Sequence, residues 1–220
     1  MLLVKGKLLL PIILMIVLAV SRIPGLLPQN FSAVYALVFC AGVFFPRRLV
    51  WWVPLSTMIV SDLLLNWYYH IHFNTPIVSV DLLGNYIAYA AFIWLGRWFG
   101  PKASFVSLIG GGLICAILFY LISNTISWLF NPFHNPEYTK TLAGLLTALT
   151  RGTAGYAQTW EFFRNTLTSS GLFTALFAGA MKFMDALNPA EEEEPAEDKP
   201  DEPAAEQPEE ASEPQPSHPA

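Results

Sequence analysis

The chain has 220 residues, of which 54% are hydrophobic and 13% are charged, and its formal net charge at pH 7 is −5. A soluble domain usually contains about 45–50% apolar residues, so this composition disfavours an ordinary water-soluble protein. The acidic balance gives no reason to expect nucleic acid as a partner. The length allows one membrane domain.

The charges are divided unevenly along the chain. Residues 189–220 contain twelve acidic residues and one Lys, a net −11, whereas residues 1–188 contain eleven Lys and Arg against five Asp and Glu, a net +6. The last 32 residues are also rich in Pro, Glu and Ala and have almost no apolar bulk to bury. We therefore predict a disordered acidic tail at 189–220, which either solvates the protein or recruits a partner.

The remaining residues, 1–188, alternate apolar blocks with short basic loops. A helix needs about 20 residues to cross a hydrocarbon core of roughly 30 Å. The pattern predicts an all-α, polytopic membrane bundle of six transmembrane helices. In the first block, Lys5 and Lys7 followed by an apolar run also fit a cleaved signal peptide, which is the alternative for that segment. The predicted spans cover residues 3–20, 31–45, 49–65, 81–98, 103–129 and 166–187.

The segment between the last two blocks is too polar to span comfortably. It carries Arg151 in its middle and Glu161 and Arg164 near its end. An Arg at the centre of a bilayer costs about 2.5–3.5 kcal/mol on insertion scales. We predict that residues 140–163 form a re-entrant or surface helix, with a seventh span as the alternative.

Basic residues in the loops predict the orientation. With six spans and a cytoplasmic N-terminus, seven Lys and Arg lie on the cytoplasmic side and four on the opposite side, as the positive-inside rule requires. Both termini, and with them the acidic tail, are then cytoplasmic in the inner membrane of a bacterium. The three exterior connections, 21–30, 66–80 and 131–165, are long and aromatic, which favours them as the surface that meets a ligand.

Asp62 is the single carboxylate in the interior of a predicted span. An ionisable group inside a membrane usually faces a cavity or a partner. Polar and aromatic residues at the exterior ends of neighbouring spans could complete a pocket around it, in which Asp62 fixes a polar or cationic group and the rings stack on a planar ligand. The alternative is that Asp62 only holds helices together. The predicted ligand-binding residues are Asn30, Asp62, Asn66, Tyr69, Asn124 and Trp128.

Catalytic and metal-binding patterns have little support. Cys40 and Cys115 both lie in apolar blocks, where a thiol packs as a small hydrophobe. His70 and His72 are two residues apart and point to different sides of a helix, so they do not form a metal pair there. The motifs of serine hydrolases, zinc proteases and phosphate-binding loops are absent from the sequence. We predict no enzyme, no cofactor and no metal site.

Two stretches that cover most of residues 22–152 resemble an uncharacterised family of small bacterial membrane proteins, which is itself similar to the S components of energy-coupling-factor transporters. This resemblance implies six helices and a ligand bound near the outer face. Many S components dock onto a transport module through two small residues four apart on the first helix, a pair that residues 8–20 lack. The resemblance rests on Arg22 to Ser32, Ala41-Gly42, Pro54-Leu55, Ser61 to Leu63, Ser123-Asn124, Trp128 to Phe130 and Tyr138 to Leu145.

The leading hypothesis is therefore an S-component-like, substrate-binding subunit for uptake of a small molecule. Its expected partners are the lipid bilayer, the small molecule, and a transport module or another membrane protein. The alternative is a structural scaffold that recruits partners through its tail and its helix faces. Small residues at four-residue steps, such as Gly171, Ala175 and Gly179, serve close helix packing in both hypotheses.

Overall fold

A computed structural model describes the backbone of residues 2–187, with the side chains of residues 2–11, Asp81 and Leu83 left outside the description. The predicted acidic tail, 189–220, lies outside the described residues. The all-α prediction is confirmed, because the described part of the chain contains seven helices and no strand. They are α1 (Leu2–Ser21), α2 (Val34–Phe44), α3 (Trp52–Phe73), α4 (Val80–Phe99), α5 (Phe105–Phe130), α6 (Leu142–Thr150) and α7 (Thr159–Leu187).

The short helix α2 occupies the centre of the bundle. Its residues Val34 to Val43 are all buried, and it packs chiefly against α4, α7 and α5. At 1.5 Å per residue, its eleven residues reach only about 16 Å. This helix therefore has almost no exposed side, and it is too short to cross a bilayer core alone.

Two close helix crossings hold the centre together. A Cβ added to Gly42 of α2 would lie 2.4 Å from the carbonyl oxygen of Ile93 in α4, and one added to Gly96 would lie 2.3 Å from that of Phe39. In the second crossing, Ser170 of α7 donates a hydrogen bond of 2.7 Å to the carbonyl of Gly112 in α5. Glycine is required at these crossings because any larger residue would meet backbone or a buried side chain.

Helix ends follow local capping chemistry. Ser104 accepts a hydrogen bond from the backbone N–H of Ser107 at the start of α5, and Thr141 accepts one from Gly144 at the start of α6. Asn74 and Asn131 end α3 and α5 in the left-handed conformation, with φ of 53° and 42°. Asparagine tolerates that conformation better than most residues, which makes both positions favourable helix C-caps.

Helix α3 is attached to the bundle over a small area. It packs against α1 and touches α2, whereas α4 and α7 each pack extensively on α5 and on α2. Much of its surface is apolar and exposed, including Val60, Leu63 and Leu64. The side chains that fix α3 to the remainder therefore matter more than they would for a central helix.

Candidate functional site

Three connections meet at one end of the bundle. Asn165 at the start of α7 donates a hydrogen bond of 3.0 Å to the carbonyl of Gln29 in the first connection. Residues of the connections 22–33, 74–79 and 131–158 line one shared cavity at this end. We call it the loop end of the bundle, and the cavity the loop-end cavity.

The loop-end cavity has a volume of about 540 Å³, which lies in the range of small-molecule sites. Phe119 of α5 lines the cavity, and its ring packs on that of Tyr35 in the first turn of α2, with centroids 4.6 Å apart. Toward the loop end α5 continues past Phe119 to Phe130, whereas α2 begins only at Val34. The outer turns of α5, the start of α7 and the three connections enclose the cavity.

Aromatic rings form much of the wall. Tyr120 and Phe163 lie against each other with ring centroids 4.3 Å apart, and the ring of Phe119 is stacked on Tyr89 at 6.3 Å. Their packing fixes the orientation of these rings before any ligand arrives. The aromatic lining consists of Phe119, Tyr120, Phe133, Tyr138, Tyr156, Phe162 and Phe163.

Uncharged polar groups complete the lining. Asn124 donates through Nδ2 to the carbonyl of Tyr120 at 2.8 Å, which leaves its Oδ1 directed to no partner among the described residues. The side chains of Asn30, Ser123 and Asn135 also make no hydrogen bond within residues 12–187. These amide and hydroxyl groups are available to a ligand.

The loop over the cavity is fastened at several points. Trp128 donates through Nε1 to the carbonyl of Thr139 at 2.6 Å, and Lys140 donates to the carbonyls of Trp128 and Leu129. Further along, Glu137 accepts a hydrogen bond of 3.1 Å from the backbone N–H of Ala154. The two halves of the connection 131–158 are thereby tied together above the cavity.

Asp62 lies elsewhere, in a buried ion pair. Its Oδ1 is bound by the guanidinium of Arg22, and its Oδ2 accepts a hydrogen bond of 2.8 Å from the hydroxyl of Tyr86. The side chains of Arg22 and Asp62 are only 14% and 6% exposed. Both carboxylate oxygens are engaged, and the group connects the end of α1 with α3 and α4.

A second, groove-like cavity of about 440 Å³ runs between α1 and α3. Arg22 and Ser61 line it, but Asp62 lines neither this groove nor the loop-end cavity. The hydroxyl of Ser61 already donates to the carbonyl of Met58 at 3.1 Å. The geometry around Asp62 therefore matches the alternative that the sequence left open, in which this carboxylate holds helices together.

The structure brings two of the six predicted ligand residues together, because Asn30 and Asn124 both line the loop-end cavity. Asn66 instead donates to the carbonyl of Ile77 at 2.9 Å and closes the connection between α3 and α4. Tyr69 is exposed and packs on Tyr68 and Phe73.

Sequence reasoning missed most of the cavity lining. These residues come from the outer turns of α5, the start of α7 and the connection 131–158, which is too polar to form a span and carries no catalytic motif. The many aromatic and Thr residues of the connection 131–158 are the feature of the sequence that could have indicated a ligand site there. Among the described residues, no group of three or more metal-ligating side chains comes together.

One family model matches the chain over residues 4–191, and its description is that of a family of unknown function, DUF6580. No curated protein and no solved structure matches the chain. The matched range includes every described helix from residue 4 onward, and both the loop-end cavity and the ion pair of Asp62 fall within it. The chain belongs to the DUF6580 family.

Proposed function

We propose that this protein is a multi-pass membrane protein that binds a small molecule in the loop-end cavity, as the substrate-binding subunit of an uptake system. The observation that carries the proposal is the cavity itself, which is preformed and lined by rings and unpaired polar groups. Pockets of this size and composition are typical of small-ligand sites.

Membrane insertion is supported by the surface of the helices. Helix α5 alone, among the described residues, is long and apolar enough over 26 residues to cross a bilayer, and two shorter apolar helices are Ile12–Ser21 and Val34–Phe44. Around it, α1, α3, α4 and α7 expose large apolar side chains such as Ile16, Leu64 and Leu172. Water-soluble monomers rarely expose apolar surface so widely, whereas a bilayer would cover it.

The proposed orientation puts the loop end outside. Basic residues such as Arg47, Arg48 and Lys102 lie in the short connections of the opposite end, where the positive-inside rule favours the cytoplasm. The cavity would then open toward arriving substrate. The uptake role and its transport module are proposed from the resemblance of the sequence to the S components of energy-coupling-factor transporters.

Native mass spectrometry of the gently solubilised protein tests the proposal. Ser123 lines the cavity, so Ser123→Trp should fill it, whereas Ser127→Trp makes the same change one helical turn further on, outside the lining. We expect a small molecule on the wild type and on Ser127→Trp, and its loss from Ser123→Trp. Equal amounts of bound small molecule on all three proteins, or none on any, would contradict the proposal.

A further inference from the structure

The loop-end cavity contains no charged lining residue among those that the structure describes. All of its polar groups are amides or hydroxyls, and no Asp, Glu, Lys, Arg or His faces it. Glu137 and Glu161 each adjoin a lining residue in sequence, but neither lines the cavity, and Glu137 accepts the backbone N–H of Ala154 through Oε1. A ligand with a net charge would leave water for this site without an opposite charge to compensate it, which is strongly unfavourable.

The aromatic rings that line the cavity favour a planar ligand. Phe119 packs on Tyr35 and on Tyr89, at centroid distances of 4.6 and 6.3 Å, and these contacts fix the orientation of its ring. Tyr120 and Phe163 are fixed against each other at 4.3 Å. Fixed aromatic faces attract planar groups through stacked or edge-to-face contacts.

The polar groups of the lining that lack a hydrogen-bond partner can bind both donors and acceptors of a ligand. Asn124 presents its Oδ1 as an acceptor, while the amides of Asn30 and Asn135 and the hydroxyl of Ser123 can donate or accept. A purely hydrocarbon ligand would bury these groups without partners, at a cost for each one. The ligand therefore needs several hydrogen-bonding atoms of its own.

From these three observations we infer that the substrate class of the cavity is an uncharged, planar heterocycle with amide-like or hydroxyl donors and acceptors. This inference rests on the proposed function and narrows it. It also replaces the expectation that a carboxylate fixes a cationic ligand, because Asp62 is paired with Arg22 away from the cavity.

Four probes separate charge from shape. Quinoline carboxamide is uncharged and planar, quinoline carboxylate is the anion, N-methylquinolinium carboxamide is the cation, and decalin carboxamide is uncharged but not planar. Saturation-transfer NMR on the full chain in lipid nanodiscs reports each contact. A saturation-transfer signal is specific to the cavity if Ser123→Trp removes it and Ser127→Trp retains it. The signal that persists in Ser123→Trp measures partitioning of the probe into lipid.

We expect a cavity-specific signal for quinoline carboxamide, with signals at least about tenfold weaker for the anion, the cation and the decalin compound, as desolvation of an unpaired charge requires. Equal signals for a charged probe and the uncharged one would overturn the inference while leaving small-molecule binding intact. Absence of any cavity-specific signal from all four probes would overturn both the inference and the proposed function.

A charge introduced into the cavity gives an independent check. Asn124→Asp places a carboxylate where the wild type has an uncharged Oδ1. We expect this variant to lose the quinoline carboxamide signal by about tenfold and to gain one for N-methylquinolinium carboxamide. An unchanged preference for the uncharged probe would show that Asn124 does not contact the ligand and would refute the assigned lining.

Discussion

Removal of the Asp62 carboxylate should destabilise the bundle severely. Asp62→Ala would leave the guanidinium of Arg22 buried without its ion partner, and it would remove the acceptor that Tyr86 uses at 2.8 Å. Breaking a buried ion pair by deleting one partner costs about 3–5 kcal/mol. Because the side chain of Arg22 keeps 14% exposure and can recruit some water, we expect the lower end, about 3 kcal/mol.

The two cysteines supply the assay. Cys40 and Cys115 are free thiols with 2% and 0% exposure, so a maleimide reaches them only after the bundle opens. A loss of about 3 kcal/mol corresponds to a labelling rate roughly a hundredfold faster for Asp62→Ala than for the wild type. The wild type and the variants are labelled in the same detergent micelles without denaturant, so their labelling rates differ only because of the substitution.

Two further variants separate the ion pair from a general charge effect. Glu161→Ala removes a carboxylate from the first turn of α7 and should change the labelling rate less than about threefold. The double variant Arg22→Met with Asp62→Leu removes both charges, so it should recover much of the loss. Labelling of Asp62→Ala at the wild-type rate, or a double variant no better than the single one, would refute the reasoning.

Other perturbations follow from the same structure. Gly42→Ala should destabilise the protein by about 1–3 kcal/mol, because its Cβ would lie 2.4 Å from a backbone oxygen. The same cysteine-labelling rate measures this loss. Gly110 has open space around it, so Gly110→Ala is the control and should be neutral or stabilising. Trp128→Phe should speed hydrogen exchange in residues 131–141 about fivefold through loss of one hydrogen bond, and equal exchange would contradict the anchoring role. The folded fraction of Asp62→Ala should retain the small molecule seen by native mass spectrometry, because Asp62 does not line the cavity.

The helices could be predicted from apolar blocks, but their ends could not. The predicted third span stops at residue 65, whereas α3 continues to Phe73 because nothing before Asn74 interrupts a helix. Likewise α7 begins at Thr159 rather than at residue 166, since Glu161 and Arg164 lower the hydropathy without lowering helix propensity. Hydropathy measures compatibility with lipid, whereas helix propensity and capping residues determine where a helix begins and ends.

The site was harder to predict than the helices. A carboxylate inside an apolar block predicts a partner, yet the identity of that partner depends on packing between residues that are 40 positions apart. The sequence predicts Arg22 in the exterior connection 21–30, and nothing local connects it with Asp62. The cavity is lined by residues of α5, α7 and three separate connections, which come together only in the folded chain.

An experimental structure of the protein purified from its own membrane in native lipid would test the central claim most directly. We expect ligand density in the loop-end cavity, in contact with Asn124 and the ring of Phe119, beside an intact pair of Arg22 and Asp62. A ligand held by Asp62 in an opened ion pair, or a loop-end cavity closed by side chains, would contradict the account.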